Sequence, residues 1–341
     1  MVNMVIEHGT VVTPVYEARM DVGVTDGTVT QLAAPGTLGE RANETIDATD
    51  RYVFPGFLDS HVHAKLELGA FTTGDKFDDL TGAAAIGGTT TIVPFAIPDP
   101  DETPLDALDR RQREAAGDAY VDYAFHGCVT DATPETLREV PELIARGAAS
   151  VKTFMVYEDR LRLDDGELRR VMGTVADANG MLLVHAENNE IIASLVAERT
   201  VDGPAEFEIH PETHPAVSET AAMWTVAELV AETDCPTLLV HASTAGARNV
   251  LEAATTRGLP LVAETCPHYL ALTEDRYEDP DGERYVCSPP LRASAHRGAL
   301  WELLADGHLS MVNSDHCGYT TRQKAEFRDD VTQIPNGLPG V

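Results

Sequence analysis

Five imidazole and carboxylate side chains stand where they could share a cation. His61 and His63 are one residue apart at the end of the apolar run "YVFPGFLDSHVH". Side chains at i and i+2 of a strand leave the same face, so these two rings can converge on one point. His185 sits in "MLLVHAEN", His241 in "PTLLVHAS" and Asp315 in "LSMVNSDH", each toward the end of an apolar run. Such donors suit zinc and related divalent ions. A lone histidine in this position is more simply a hydrogen-bonded core group. Four of them with an aspartate, all at the same end of their runs, point to a metal centre.

Lys152, inside the apolar "ASVKTFMVY", belongs beside this set. Burial disfavours the ammonium and frees the neutral amine. That amine can add CO2 to give a carbamate, whose two anionic oxygens could bridge two ions. Partnership with a neighbouring carboxylate is the plainer reading of the residue type alone. Four histidines and an aspartate exceed the needs of one four-coordinate ion, and two ions would be under-ligated without a bridge.

The elements that must position these residues have a regular texture. Residues 1–50 read as short alternating strands with a "TDG" hairpin turn, a small β domain forming the N-terminal part of a β-sandwich. From 51 to 341, eight β-rich runs alternate with amphipathic stretches such as "DDGELRRVMGTVADANG". Two of these stretches end in Asn-Gly or Arg-Gly, suited to a helix C-cap. Counting to eight favours an α/β fold of the (β/α)8 TIM-barrel type over an open doubly wound sheet. Such barrels carry their chemistry at the C-terminal ends of the strands, where the candidate ligands lie.

Composition narrows the function further. The chain has 56 acidic against 25 basic residues, a formal charge of −31. That balance excludes the basic footprint that nucleic-acid binding requires. Only four lysines occur, and the acidic residues are scattered, as expected of a surface adapted to high salt. Five separated cysteines without a CxxC pair fit a reducing cytoplasm. The opening "MVNMVIEHGTVV" does not read as a signal peptide, and no apolar run reads as membrane-length.

The motifs "VFPGFLDSHVH", "SVKTFMVYED", "LLVHAENNEII", "AETCPHYLAL", "YVCSPPLR", "NSDHC" and "IPNGLPGV" occur in an order that resembles the cyclic amidohydrolases, most closely the dihydropyrimidinase and hydantoinase branch. The resemblance runs from about residue 5 to 341. It implies two divalent ions, zinc first and manganese next. His61, His63 and Asp315 would hold one, His185 and His241 the other, with carboxylated Lys152 and a hydroxide bridging them. The hydroxide would open a dihydropyrimidine or hydantoin ring, as in conversion of 5,6-dihydrouracil to N-carbamoyl-β-alanine. Asp315 would act as base and then acid, Tyr157 would stabilise the oxyanion, and backbone groups of Ser288 and Asn336 would hold the ring amide. The same resemblance implies a homotetramer.

Dihydroorotase, allantoinase and a non-catalytic related scaffold are the alternatives. Lys65 stands where dihydroorotases place a substrate-gripping arginine, but reads more simply as a loop charge. The segment "LELGAFTTGDKF" departs from the hydantoinase loop, and Gly318 stands where proline is usual. Cys266 and His268 have ligand spacing that the family pattern does not use. His126 is expected to support the site from behind, and His210 and His214 to lie at the surface or in loop packing. Relatives continue beyond "PNGLPGV", so the C-terminal part of the barrel is expected to be missing, with poor stability if 341 residues are the whole protein.

Overall fold

In the first unit, turn chemistry decides the pairing. The computed structural model describes residues 2–38, 42–68, 71–158 and 160–341, and divides into Met1–Phe57 and Leu58–Val341. In the first unit β1 (Val2–Val12) pairs antiparallel with β2 (Glu17–Thr25), which returns as β3 (Thr28–Ala33). Asp26 and Gly27 join β2 to β3 with φ of 49° and 75°, the primed turn that matches strand twist. β4 (Ala42–Asp47) and β5 (Tyr52–Val53) lie parallel to β1.

The described residues of this unit form one five-stranded sheet. Its small core gathers Val2, Val5 and Leu38. Tyr52 and Val53, expected at the head of the first barrel strand, belong to this sheet instead. Pro55 and Gly56 follow them, and a Pro-Gly pair breaks a strand ladder.

The second unit is a run of parallel strands. They are β6 (Phe57–His63), β9 (Thr89–Ala96), β10 (Asp122–Tyr123) with β11 (His126–Cys128), β12 (Val151–Phe154), β13 (Leu182–His185), β14 (Thr237–Leu239), β15 (Leu261–Thr265), β16 (Met311–Val312) and β17 (His316–Cys317). Between β6 and β9 a small hairpin is made by β7 (Glu67–Leu68) and β8 (Phe71–Thr72). Each barrel strand pairs in parallel with the next, β15 with β16, and β17 with β6. The eighth run is therefore two short pieces, one closing against each neighbour, with Asn313, Ser314 and Asp315 between them. This is a barrel of the TIM type with an N-terminal sheet unit. β11, β12 and β13 are buried along their whole length, as parallel strands covered on both faces must be.

Helices follow the strands: α1 (Phe77–Gly87), α2 (Pro104–Ala115), α3 (Pro134–Ala145), α4 (Asp165–Asp177), α5 (Asn189–Arg199), α6 (His210–Thr213), α7 (Ala216–Thr233), α8 (Ala247–Arg257), α9 (Pro267–Ala271), α10 (Ser294–Ala305) and α11 (Thr321–Glu326). α4 shows why. Asp164 and Glu167 form a capping box, and Leu168, Val171, Met172 and Val175 make the buried stripe at helical spacing. Gly258 ends α8 in the left-handed conformation, as its Arg-Gly suggests. In Asn179–Gly180 the left-handed residue is Asn179. Gly180 serves close approach instead, since a Cβ there would lie 2.6 Å from Ile144 Cδ1. Among the described residues no helix is long and apolar enough to cross a membrane.

Gly127 in β11 lets the strand lie close against α3, because a Cβ there would lie 2.2 Å from Leu143 Cδ2. Gly127→Ala is expected to cost about 1–3 kcal/mol through overpacking. A denaturant titration should show a lower midpoint at unchanged slope.

Candidate metal centre

The strands bring the sequence-selected residues to one end of the barrel. β6 delivers His61 and His63, β12 Lys152, and β13 His185. His241 lies just past β14, and Asp315 just before β17. His241, Asp315 and Tyr157 hold φ of 43°, 48° and 73°. Left-handed backbone is costly for such residues and persists where the surroundings enforce it, commonly at functional sites.

Asp315 Oδ1 lies 3.1 Å from His61 Nε2 and 3.3 Å from His63 Nε2. His241 Nε2 lies 3.0 Å from His185 Nδ1. Donors around one tetrahedral ion with bonds of roughly 2.0–2.1 Å sit roughly 3.3 Å from each other, so both groups have the spacing of a ligand set. Donor atoms of His61, His241 and Asp315 all fall within 4.8 Å of one another, which brings the two groups into reach of a shared pair of ions. Among the described residues, the buried Nδ1 atoms of His63 and His241 find no hydrogen-bond partner.

Electrostatics point the same way. Burial would hold His61 neutral, yet the carboxylates of Asp315 and Glu264 lift its pKa to about 9. Burial pushes His63 down to about 4 and lowers His185 and His241 as well. Burial opposes ionisation of Asp315, but His61, His63 and His241 hold its pKa well below the carboxylate range. The cluster thus combines neutral imidazoles at His63, His185 and His241 with carboxylates that draw positive charge, in the metal-free chain on to His61. Lys152 is 1% exposed. Its Nζ stands 5.2 Å from the Phe95 ring centroid and 5.0 Å from that of Phe154. Burial lowers its pKa to about 8, with Asp315 and Glu264 acting against the shift. The amine is therefore far easier to deprotonate than an exposed lysine.

Three carboxylates behind the cluster were not singled out from sequence. Glu264 of β15 accepts from His61 Nδ1 and from Asn313 Nδ2. Glu187 accepts from His185 Nε2 at 2.8 Å. Burial would raise Glu187, but its hydrogen bond to His185 and that ring's charge bring it down to about 2. Asp59 accepts the backbone N–H groups of His61 and Ser314, each at 3.2 Å. Carboxylates that fix the tautomer and aim of a ligand imidazole are a regular part of metal sites. Their only sequence signal is an acidic residue within or next to an apolar strand, two residues from a candidate histidine for Glu187 and Asp59.

A cavity of about 330 Å³ opens above the cluster. Tyr157, Ser288 and Asn336 line it, with Leu66, Phe71, Ile97, Phe154, Leu161 and Ile334 as apolar wall. Burial raises the Tyr157 pKa, so its hydroxyl remains a donor at neutral pH. The Ser288 hydroxyl donates to Glu187 at 2.7 Å, which gives that side chain a specific task behind His185.

Several other residues also find their places. Lys65 Nζ donates to Glu114 at 2.9 Å and does not line the cavity. His126 braces β6 from behind, with Nε2 2.8 Å from the Ser60 carbonyl and Nδ1 2.6 Å from Ser150 Oγ. His210 is not at the surface: it is buried and donates to the Cys287 carbonyl at 2.7 Å. Cys266 and His268 come within 4.8 Å of Asp315 and of each other. Gly318 leaves room for Asp75, since a Cβ there would lie 2.0 Å from Asp75 Oδ2, an atom 2.9 Å from His316 Nε2.

Comparison with known proteins gives consistent likenesses. The amidohydrolase family model matches residues 52–332. D-hydantoinase of Streptomyces coelicolor is 39% identical over 99% of this chain and 73% of its own length. D-hydantoinase of Geobacillus stearothermophilus is 37% identical over 98% of this chain and 71% of its own. Among solved structures, dihydropyrimidinase from Brevibacillus agri superposes with a TM-score of 0.94 at 35% identity, covering 100% of this chain and 74% of that one.

Glu264→Ala removes the acceptor behind His61. It is expected to weaken divalent-metal binding by about 10–100-fold. Zinc titration against a competing chelator would measure this, with near-native affinity ruling out the supporting role.

Proposed function

The chain belongs to the amidohydrolase family, in its hydantoinase and dihydropyrimidinase branch, and from that membership we propose that the cluster at the barrel mouth opens the ring of a hydantoin or dihydropyrimidine. The observation that carries this reading is the convergence of His61, His63, His185, His241 and Asp315 at ligand spacing around a buried lysine. His61, His63 and Asp315 would hold one divalent ion, and His185 and His241 a second. The Lys152 amine, kept easy to deprotonate by burial, would lose a proton and bond to CO2, giving a carbamate anion that could serve as a further ligand. Ions so held supply Lewis acidity and lower the pKa of water toward neutrality.

The remaining steps belong to side chains of this protein. Water adds to the ring carbonyl carbon, and the carbon–nitrogen bond of the cyclic amide breaks. Asp315 takes the proton of that water and delivers it to the departing nitrogen, a general base and then a general acid. The hydroxyl of Tyr157 donates to the oxyanion that develops on the carbonyl oxygen. Backbone groups at Ser288 and Asn336, both on the cavity wall, would hold the ring amide. The apolar wall suits a ring with a hydrocarbon substituent. A carboxylate on the ring finds no counter-charge in Lys65, which is engaged by Glu114. That favours hydantoin and dihydropyrimidine substrates over dihydroorotate.

The test is a turnover panel with zinc-loaded and chelated protein. Dihydrouracil and hydantoins should be opened only by the loaded form, and dihydroorotate less efficiently, because Lys65 and Arg160 of the cavity wall are already paired with Glu114 and Asp99. Tyr157→Phe should lower kcat by about 100-fold with metal content unchanged, the scale set by loss of one oxyanion donor. Turnover of dihydroorotate alone, or a Tyr157→Phe variant with native kcat, would contradict the assignment.

A further inference from the structure

Lys324 is a buried cation for which the chemistry above has no use. It lies in α11 and is 2% exposed. Burial lowers its pKa to about 8, and among the described residues no carboxylate lies within ion-pair distance of it. Its Nζ donates to two backbone carbonyls, Val286 at 2.6 Å and Pro335 at 3.0 Å. These belong to separate segments. One runs directly into Ser288 and the other into Asn336. Between them the Gly337 N–H also donates to the Val286 carbonyl, at 3.1 Å.

We infer that Lys324 is a positioning residue that clasps the two cavity walls bearing Ser288 and Asn336, and so sets the spacing of the backbone groups that receive the ring amide. This rests on the proposed role of those backbone groups. Two carbonyl acceptors explain why an amine is kept at the position. A methylene chain alone would leave Pro335 without a partner and Val286 with only one, and unmet buried acceptors are costly. An amine keeps two N–H donors whether or not it is protonated, so the clasp survives loss of the charge. The same short helix reaches a third part of the cavity. Thr320 and Gln323 close its N-terminus as a capping box, and Gln323 Nε2 donates to the Thr72 carbonyl at 2.8 Å, beside Phe71 of the cavity wall.

The experiment compares zinc-loaded native protein with Lys324→Met and Lys324→Arg. Hydrogen exchange of peptides covering 286–289 and 335–338, measured without substrate, reads the clasp itself. Steady-state kinetics on a hydantoin read its consequence. Lys324→Met should exchange faster in both segments, keep its zinc, and show KM raised about tenfold with kcat within about threefold, the size expected for misplaced hydrogen-bond partners. Lys324→Arg restores N–H donors and should bring KM back toward native. It also carries the comparison if the methionine variant does not fold. Unchanged exchange would mean that no clasp exists. Faster exchange with unchanged KM would reduce Lys324 to a structural tie, and joint loss of zinc and kcat would place its effect at the metal site; each overturns the inference. Failure of the ring-opening reading appears elsewhere, as absence of turnover in the native protein.

Discussion

The mouth of the barrel depends on one buried carboxylate. Glu264, 1% exposed on β15, accepts from the His61 ring on β6 and from the Asn313 amide in the broken eighth strand. It also lies 3.4 Å from the His241 N–H past β14. Asn313 in turn accepts the Ser60 N–H at 3.0 Å. A carboxylate this deep is tolerable only when its oxygens are met by donors, and every donor it has belongs to the chemical site or to the strand that closes the barrel. Closure of the sheet and aim of the imidazoles are thus one set of hydrogen bonds.

The same economy explains why the eighth strand is in two pieces. A continuous strand would pair evenly with both neighbours and send alternate side chains to opposite faces. Breaking it at Asn313–Asp315 lets Asn313 turn to Glu264 while Asp315, in a left-handed backbone, faces His61 and His63. Tyr157, past β12, and His241, past β14, are held in the same unusual conformation. At these three positions the strained backbone stands over strands β11, β12 and β13, which are fully buried and supply the rigidity that maintains it.

Much of this was legible in the sequence because it is periodic. Apolar runs of strand length followed by amphipathic stretches announce the barrel, and HxH at a strand end announces two rings on one face. Lys152 stood out because a cation inside an apolar run has few physical explanations. Glu264 did not, since its partners lie 203 and 49 residues away and nothing local marks them. Ser288 was undervalued for the same reason: its hydroxyl serves Glu187 across 101 residues. Of the two places open to His210, surface or loop packing, burial is decided by its carbonyl partner at Cys287, 77 residues away, which its Pro-rich neighbourhood does not reveal. Tyr52 and Val53 were assigned to the wrong sheet because an apolar run shows no sign of changing partner, except at its Pro-Gly break.

The most direct test of the metal-centre reading is an anomalous difference map, collected at the zinc edge, from crystals of the zinc-loaded protein. Two peaks are expected, one among His61, His63 and Asp315 and the other between His185 and His241, with density for a carboxylated Lys152 between them. A map with no peak at these residues, or with a single peak held by other side chains and an unmodified Lys152, would contradict it.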